Sequence, residues 1–222
     1  MGLNDSQDCS EKKMLSHPDE QKVLGVVWEP RSDVLKYKVQ EDTVNAKLTK
    51  RIVLSEVSKV FDPIGFAGPL LIRAKIMIQR LWAIGVTWDE QLSDEETAKW
   101  MRFFAEMISL NGVSFERCLI SEVDAKKIVG IFCDASELAF GAVCYVRYEL
   151  SDGTVGVRFV TAKSRVAPLK SLTIPRLELQ AAVLASRIFI SVTNELVTSF
   201  ERVVFLSDLV IALSWIKGRS CQ

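Results

Sequence analysis

The stretch Ile128-Val129-Gly130-Ile131-Phe132-Cys133-Asp134-Ala135-Ser136 is a short apolar run closed by a carboxylate. Its length and composition read as a buried strand, and solubility explains an acid at that position poorly. Working outward, Phe140 to Leu150 reads as a second strand and Ser151-Asp152-Gly153 as a hairpin turn. Thr154 to Ala162 then reads as a third strand, with Val155, Val157 and Phe159 inward and Arg158 outward. A loop follows from Lys163 to Lys170, then a helix from about Ile174 to Val197 that is apolar nearly all round. Arg202 to Ser207 is a fourth strand, again closed by an aspartate, Asp208, and a short helix is expected near Val210 to Ile216. The fold class is therefore α/β in the order βββ-α-β-α. An antiparallel meander is continued by a parallel strand through a helical crossover.

In that topology strands one and four are parallel neighbours, so Asp134 and Asp208 project toward one sheet edge. The crossover helix carries Glu178 in its first turns and can add it to the same cluster. Like charges held this close raise one another's pKa unless a cation neutralises them. Ligands that are all oxygen favour Mg²⁺ or Mn²⁺. Two such ions about 4 Å apart suit phosphodiester cleavage. Read singly, each aspartate has another explanation, as a helix N-cap after a strand.

Upstream, residues 1–20 read as a flexible polar leader and residues 21–48 as a short strand pair built on Val23 to Trp28 and Asp33 to Val39. Residues 49–122 read as mainly helical, ahead of the α/β unit at 123–222. Thr49 can cap a first helix with apolar positions Ile52, Val53, Val57, Val60 and Phe61, ended by Asp62-Pro63-Ile64-Gly65. Pro69 suits the first turn of a second helix, whose face is Leu70, Leu71, Ala74, Met77, Ile78, Leu81 and Trp82, stopped by Gly85. Ser93-Asp94-Glu95-Glu96 opens a third as a capping box. Its stripe of Trp100, Phe103, Phe104, Met107 and Ile108 reads as core, since stacking platforms present aromatics on exposed sheets or loops.

Composition narrows the chemistry. The 222 residues are 49% hydrophobic and 25% charged, which argues against disorder. Lys plus Arg and Asp plus Glu both number 28, so no global basic field announces nucleic acid, although a local basic face is not excluded. The five cysteines form no C-x-x-C pair and the one histidine is His17, which leaves no zinc set and no histidine catalysis. Gly-rich phosphate loops and a Ser-His-Asp set are absent. Scattered cysteines, a leader without an apolar core and no spanning-length apolar stretch point to an intracellular protein, cytoplasmic or nuclear.

Taken with their neighbours, these residues resemble the ribonuclease H domain of retroelement polymerases, more narrowly the Pao/BEL class of long-terminal-repeat retrotransposons, over about residues 21–222. The most specific matches are Ala162-Lys163-Ser164-Arg165-Val166-Ala167-Pro168-Leu169-Lys170 and Thr173-Ile174-Pro175-Arg176-Leu177-Glu178-Leu179. Leu24-Gly25-Val26-Val27-Trp28 is similar to the end of the reverse-transcriptase palm. Thr49-Lys50-Arg51, Leu54-Ser55 and Phe61-Asp62-Pro63-Ile64-Gly65 are similar to the thumb and connection segment that follows.

The resemblance implies a ribonuclease H-like mixed sheet preceded by a mainly helical connection module, and metal-dependent hydrolysis of the RNA strand of an RNA–DNA hybrid. It implies Asp134 as the first catalytic aspartate, Glu178 as the helix glutamate and Asp208 as the second strand aspartate. All three would be ligands to Mg²⁺ or Mn²⁺, with two ions in a complete domain. Lys163, Arg165 and Lys170 around the loop, with Arg176 beside the glutamate, would hold hybrid phosphates. The plainer explanation is a solvated loop and an arginine paired with an acid.

Implied partners are the hybrid and the reverse-transcriptase and integrase portions of the same polyprotein, with no membrane. Ser207-Asp208-Leu209 stands where the family has Thr-Asp-Ser, keeping the acid and losing a neighbouring hydroxyl. The family's domain continues into a strand and a C-terminal helix bearing a fourth carboxylate, and its palm carries an aspartate pair. Neither falls within the 222 residues, so the expectation is a C-terminally truncated piece of a Pol polyprotein with weak or absent hydrolysis on its own. The alternative is a non-catalytic nucleic-acid-binding or interaction fragment. An aspartic peptidase is discounted, because Asp152-Gly153-Thr154 has the order of that motif wrong.

Overall fold

The computed structural model describes residues 21–23, 26–40, 47–119, 125–196, 198–208, 214, 215 and 218. The expected leader at 1–20 lies outside them, as does most of the expected helix at 210–216. β1 (Gln21–Val23), β2 (Val26–Glu29) and β3 (Val34–Lys36) form an antiparallel ladder. α1 (Lys50–Ser58) starts where Thr49 accepts from the Ile52 N–H, 3.3 Å. It ends earlier than expected, leaving Phe61 outside the helix and 53% exposed. α2 (Gly68–Ala83) has Pro69 in its first turn, and Gly85 beyond its end has φ +78°. α3 (Asp94–Ile108) is capped by Ser93, which accepts from the Glu96 N–H. Its aromatic stripe is buried against Val53, Ala74 and Leu81. No described helix is long and apolar enough to cross a membrane.

β4 (Ser114–Glu116) returns to pair with β3, so the expected strand pair is part of a four-stranded sheet in the order β1-β2-β3-β4. Three residues are too few to show a strand period in sequence. Trp82, expected on the apolar face of α2, is 50% exposed and lies over the Lys50 amine at 4.1 Å. That amine is buried with its lysine and donates to the Val86 carbonyl, which explains why an indole stays at the surface.

The second sheet positions the site. β5 (Lys126–Ala135), β6 (Ala139–Glu149) and β7 (Val155–Val166) are an antiparallel meander, and α4 (Ile174–Glu195) crosses over to β8 (Arg202–Leu206), which lies parallel to β5. The order is β7-β6-β5-β8, the expected mixed sheet. Val129 and Ile131 of β5, with Cys144 and Val146 of β6, bury against Ala181, Leu184, Ala185 and Ile188 of α4.

Two expectations for β7 fail. Val155 and Val157 are 49% and 55% exposed, because β7 carries an extra residue opposite the Cys144–Tyr145 step. That bulge puts Gly156 and Arg158, rather than the valines, across from Tyr148 and Val146 on the α4 face. Arg158 lies over the Tyr148 ring at 5.4 Å and pairs with Glu116. The strand also runs on to Val166, through residues expected to form a loop.

The helical module closes the outer edge of β7. The Ile64 carbonyl accepts from the Ala162 N–H at 2.8 Å and from Thr161 Oγ1 at 2.9 Å. Gln79 Nε2 donates to the Ala167 carbonyl at 2.6 Å. An unpaired edge strand exposes such groups, and here the turn at 62–66 satisfies them. A row of ring contacts continues the junction across the sheet face opposite α4, from Phe132 through Tyr145, Phe159 and Phe66 to Phe115.

The turn itself is held by Asp62, whose Oδ1 accepts from the Gly65 and Phe66 N–H groups and from the buried Tyr37 hydroxyl at 2.7 Å. Burial, then the Asp62 carboxylate, pushes the Tyr37 phenol above its ordinary range. Tyr37→Phe removes one partner of a charged acceptor and is expected to cost about 1 to 2 kcal/mol, read as a lower urea midpoint at unchanged m-value.

Candidate metal centre

The pairing of β5 with β8 ends at Phe132 opposite Leu206. Two residues further along each chain stand Asp134 and Asp208, so parallel register alone brings the two aspartates level. Asp134 faces the side opposite α4, since Asp134 pairs with Gly141 while the neighbouring Cys133–Ala142 pair is buried under the helix. Glu178 arrives from the other side. It shares a helical face with Ala181 and Ala185, both within 1% of full burial, and is itself only 3% exposed. One carboxylate oxygen from each of Asp134, Glu178 and Asp208 lies within 4.8 Å of the others.

A single backbone donor organises the cluster. The Ala135 N–H donates to Asp134 Oδ1 at 2.6 Å and to Glu178 Oε1 at 3.1 Å. That contact fixes one oxygen of the glutamate and leaves Oε2 buried with no hydrogen-bond partner among the described residues. Burial pushes the Glu178 carboxyl above its ordinary value; the Asp134 and Asp208 charges push the same way, while the Ala135 N–H opposes them. Beside the cluster, the Cys133 thiol donates to the Leu206 carbonyl at 3.7 Å, and burial first, then the nearby carboxylates, pushes it up.

Among the described residues no ion pair engages any of the three acids, although surface carboxylates elsewhere hold Arg51, Arg73 and Lys99. A buried carboxylate oxygen without a donor costs several kcal/mol if it stays charged. Three converging carboxylates, one of them with an unpartnered buried oxygen, therefore fit a hard divalent cation. Among the described residues the converging set is carboxylate oxygen alone, and Cys133 stands outside it.

The four basic residues singled out in the sequence do not gather in one place. Lys163 and Arg165 are on β7, not in a loop, paired with Ala142 and Phe140. Both are exposed and contribute to a groove of about 950 Å³ whose lining includes Asp134 and Asp208. Lys170 and Arg176 are exposed as well, in the α4 approach and in its first turn, and lie outside that lining. Arg176 makes no ion pair among the described residues. Sequence reading missed two features. The Ala135 N–H is a backbone group with no residue signature, and Lys75, which also lines the groove, looked like any polar position on a helix.

Residues 49–209 match the family described as "Pao retrotransposon-like RNaseH-like domain". No curated protein matches the chain. A solved structure of the foamy viral protease–reverse transcriptase in complex with dsDNA is similar at 17% identity and a TM-score of 0.24, covering 86% of this chain. The chain spans 36% of that one, and so loose a superposition carries no weight for the fold.

Proposed function

Because the chain belongs to the Pao retrotransposon RNase H-like family, we propose that Asp134, Glu178 and Asp208 bind Mg²⁺ or Mn²⁺ and that the protein hydrolyses the RNA strand of RNA–DNA hybrids. The observation that carries this reading is the buried Glu178 carboxylate, which converges with two aspartates and whose Oε2 has no hydrogen-bond partner among the described residues. Divalent ions bound there would supply Lewis-acid stabilisation of the scissile phosphate. The chain's own work is to hold the acids in place. The two parallel strands set the aspartates level, α4 brings Glu178 under them, and the Ala135 N–H fixes which glutamate oxygen stays free. Lys163 and Arg165 on one edge, with Lys170 and Arg176 near the start of α4, are the proposed phosphate contacts, which would position the hybrid without reading its sequence.

The test is cleavage of a hybrid labelled on its RNA strand, in Mg²⁺ and in Mn²⁺. RNA-strand cleavage that EDTA abolishes, with an all-DNA duplex left intact, is the expected result. Binding of the hybrid without cleavage, by this chain and by a longer Pol chain alike, would favour a non-catalytic binding module.

A further inference from the structure

We propose that Lys75, on the helical module, holds a backbone phosphate of the hybrid strand lying in the groove that Asp134 and Asp208 help to line; this rests on the nuclease reading above. The groove has two walls from different parts of the chain. One is the sheet face opposite α4, including Phe132, Ala162 and Leu206; the other is the 62–75 segment, including Pro69, Ile72 and Lys75. These walls do not drift freely, because the Ile64 carbonyl and Gln79 side chain bond the module to β7.

Charge singles out Lys75 within this wall. It is exposed, and none of the ion pairs or hydrogen bonds among the described residues engages it. Two residues earlier on the same helix, Arg73 is taken up by Glu106 at 2.5 Å, outside the groove. Pro69 and Ile72 beside Lys75 offer no anion-binding group, and the wall's one carboxylate, Asp62, already accepts from the Tyr37 hydroxyl and the Gly65 and Phe66 N–H groups. The groove lining thus combines two aspartates, suited to cations, with a lysine on the helical wall, suited to phosphate. A polyanion lying in the groove needs such a contact, since its phosphates are repelled by Asp134 and Asp208 wherever no ion intervenes. The helical module then becomes part of the substrate surface rather than a spacer.

The experiment measures binding of a fluorescein-labelled RNA–DNA hybrid of about 18 base pairs by anisotropy, in Ca²⁺, across a salt series. The variants are Lys75→Gln and, as the matched control, Arg80→Gln, an exposed cation on the same helix outside the groove. Loss of one phosphate contact lowers the salt slope by about 0.9. Lys75→Gln is expected to bind about three- to tenfold more weakly with that smaller slope, at an unchanged thermal midpoint, while Arg80→Gln binds like wild type. Wild-type affinity for Lys75→Gln, or an equal loss in Arg80→Gln, overturns the assignment and leaves the nuclease reading standing. Failure of the wild-type protein to bind the hybrid overturns both.

Discussion

Asp134→Asn is expected to slow RNA-strand hydrolysis on the order of a hundredfold or more, about 2.7 kcal/mol of barrier. The substitution keeps shape and volume and can still accept from the Ala135 N–H, so the strand end survives. What it removes is one of three converging negative charges on which cation affinity depends. Asp134 is exposed and makes no ion pair among the described residues, so little stability should go with the activity. Single-turnover cleavage and circular dichroism on the same sample separate the two. Full activity in the variant would remove Asp134 from the site.

Gly65→Ala is expected to cost about 3 kcal/mol of stability. Gly65 has φ +83°, a left-handed conformation that costs a side-chain-bearing residue roughly 1 to 2 kcal/mol. A Cβ there would also stand 1.9 Å from the Ala162 carbonyl oxygen, which is backbone and cannot swing aside. Overpacking of this kind adds roughly 1 to 3 kcal/mol. Relief requires the turn to back away from β7, breaking the Ile64 contacts and exposing the β7 edge. The variant should therefore lose both stability and the coupling between modules. Urea unfolding would show a lower midpoint, with separate transitions for tryptophan fluorescence, to which Trp82, Trp88 and Trp100 of the helical module contribute, and for far-ultraviolet signal. Gly153→Ala, also at positive φ but with open space around it, provides the comparison and should lose only the conformational part.

Much of the site was legible because it depends on where strands end. An apolar run closed by an acid, twice, with a crossover helix between, fixes two neighbouring carboxylates by topology alone. Glu178 was legible from the apolar residues on every side of it. Helix starts at Thr49, Pro69 and Ser93 were legible because capping is local chemistry.

What sequence hid depends on registry and on distant partners. The bulge in β7 reverses the facing of every residue before it, so a valine alternation that reads as inward turns outward. Lys163-Ser164-Arg165 reads as loop chemistry ahead of Ala167-Pro168, yet charged residues are well tolerated on an edge strand. Trp82 reads as core until Lys50, far away in sequence, is found beneath it. The docking of the helical module rests on a carbonyl, Ile64, and a missing Cβ, Gly65, neither of which any periodicity reports.

The central claim is that the buried, unpartnered oxygen of Glu178 exists to meet a divalent ion, and thermal unfolding with and without Mn²⁺ tests it most directly. An ion that binds only the folded protein stabilises it by about 2.7 kcal/mol at a hundredfold excess over Kd, several degrees for a chain of this size. Wild-type protein should therefore melt higher in Mn²⁺ than in EDTA. Glu178→Gln should show no such rise, while its midpoint in EDTA equals or exceeds that of wild type, because an amide at that site relieves the crowding of charge. A wild-type midpoint indifferent to Mn²⁺, or an equal rise in Glu178→Gln, would contradict the account.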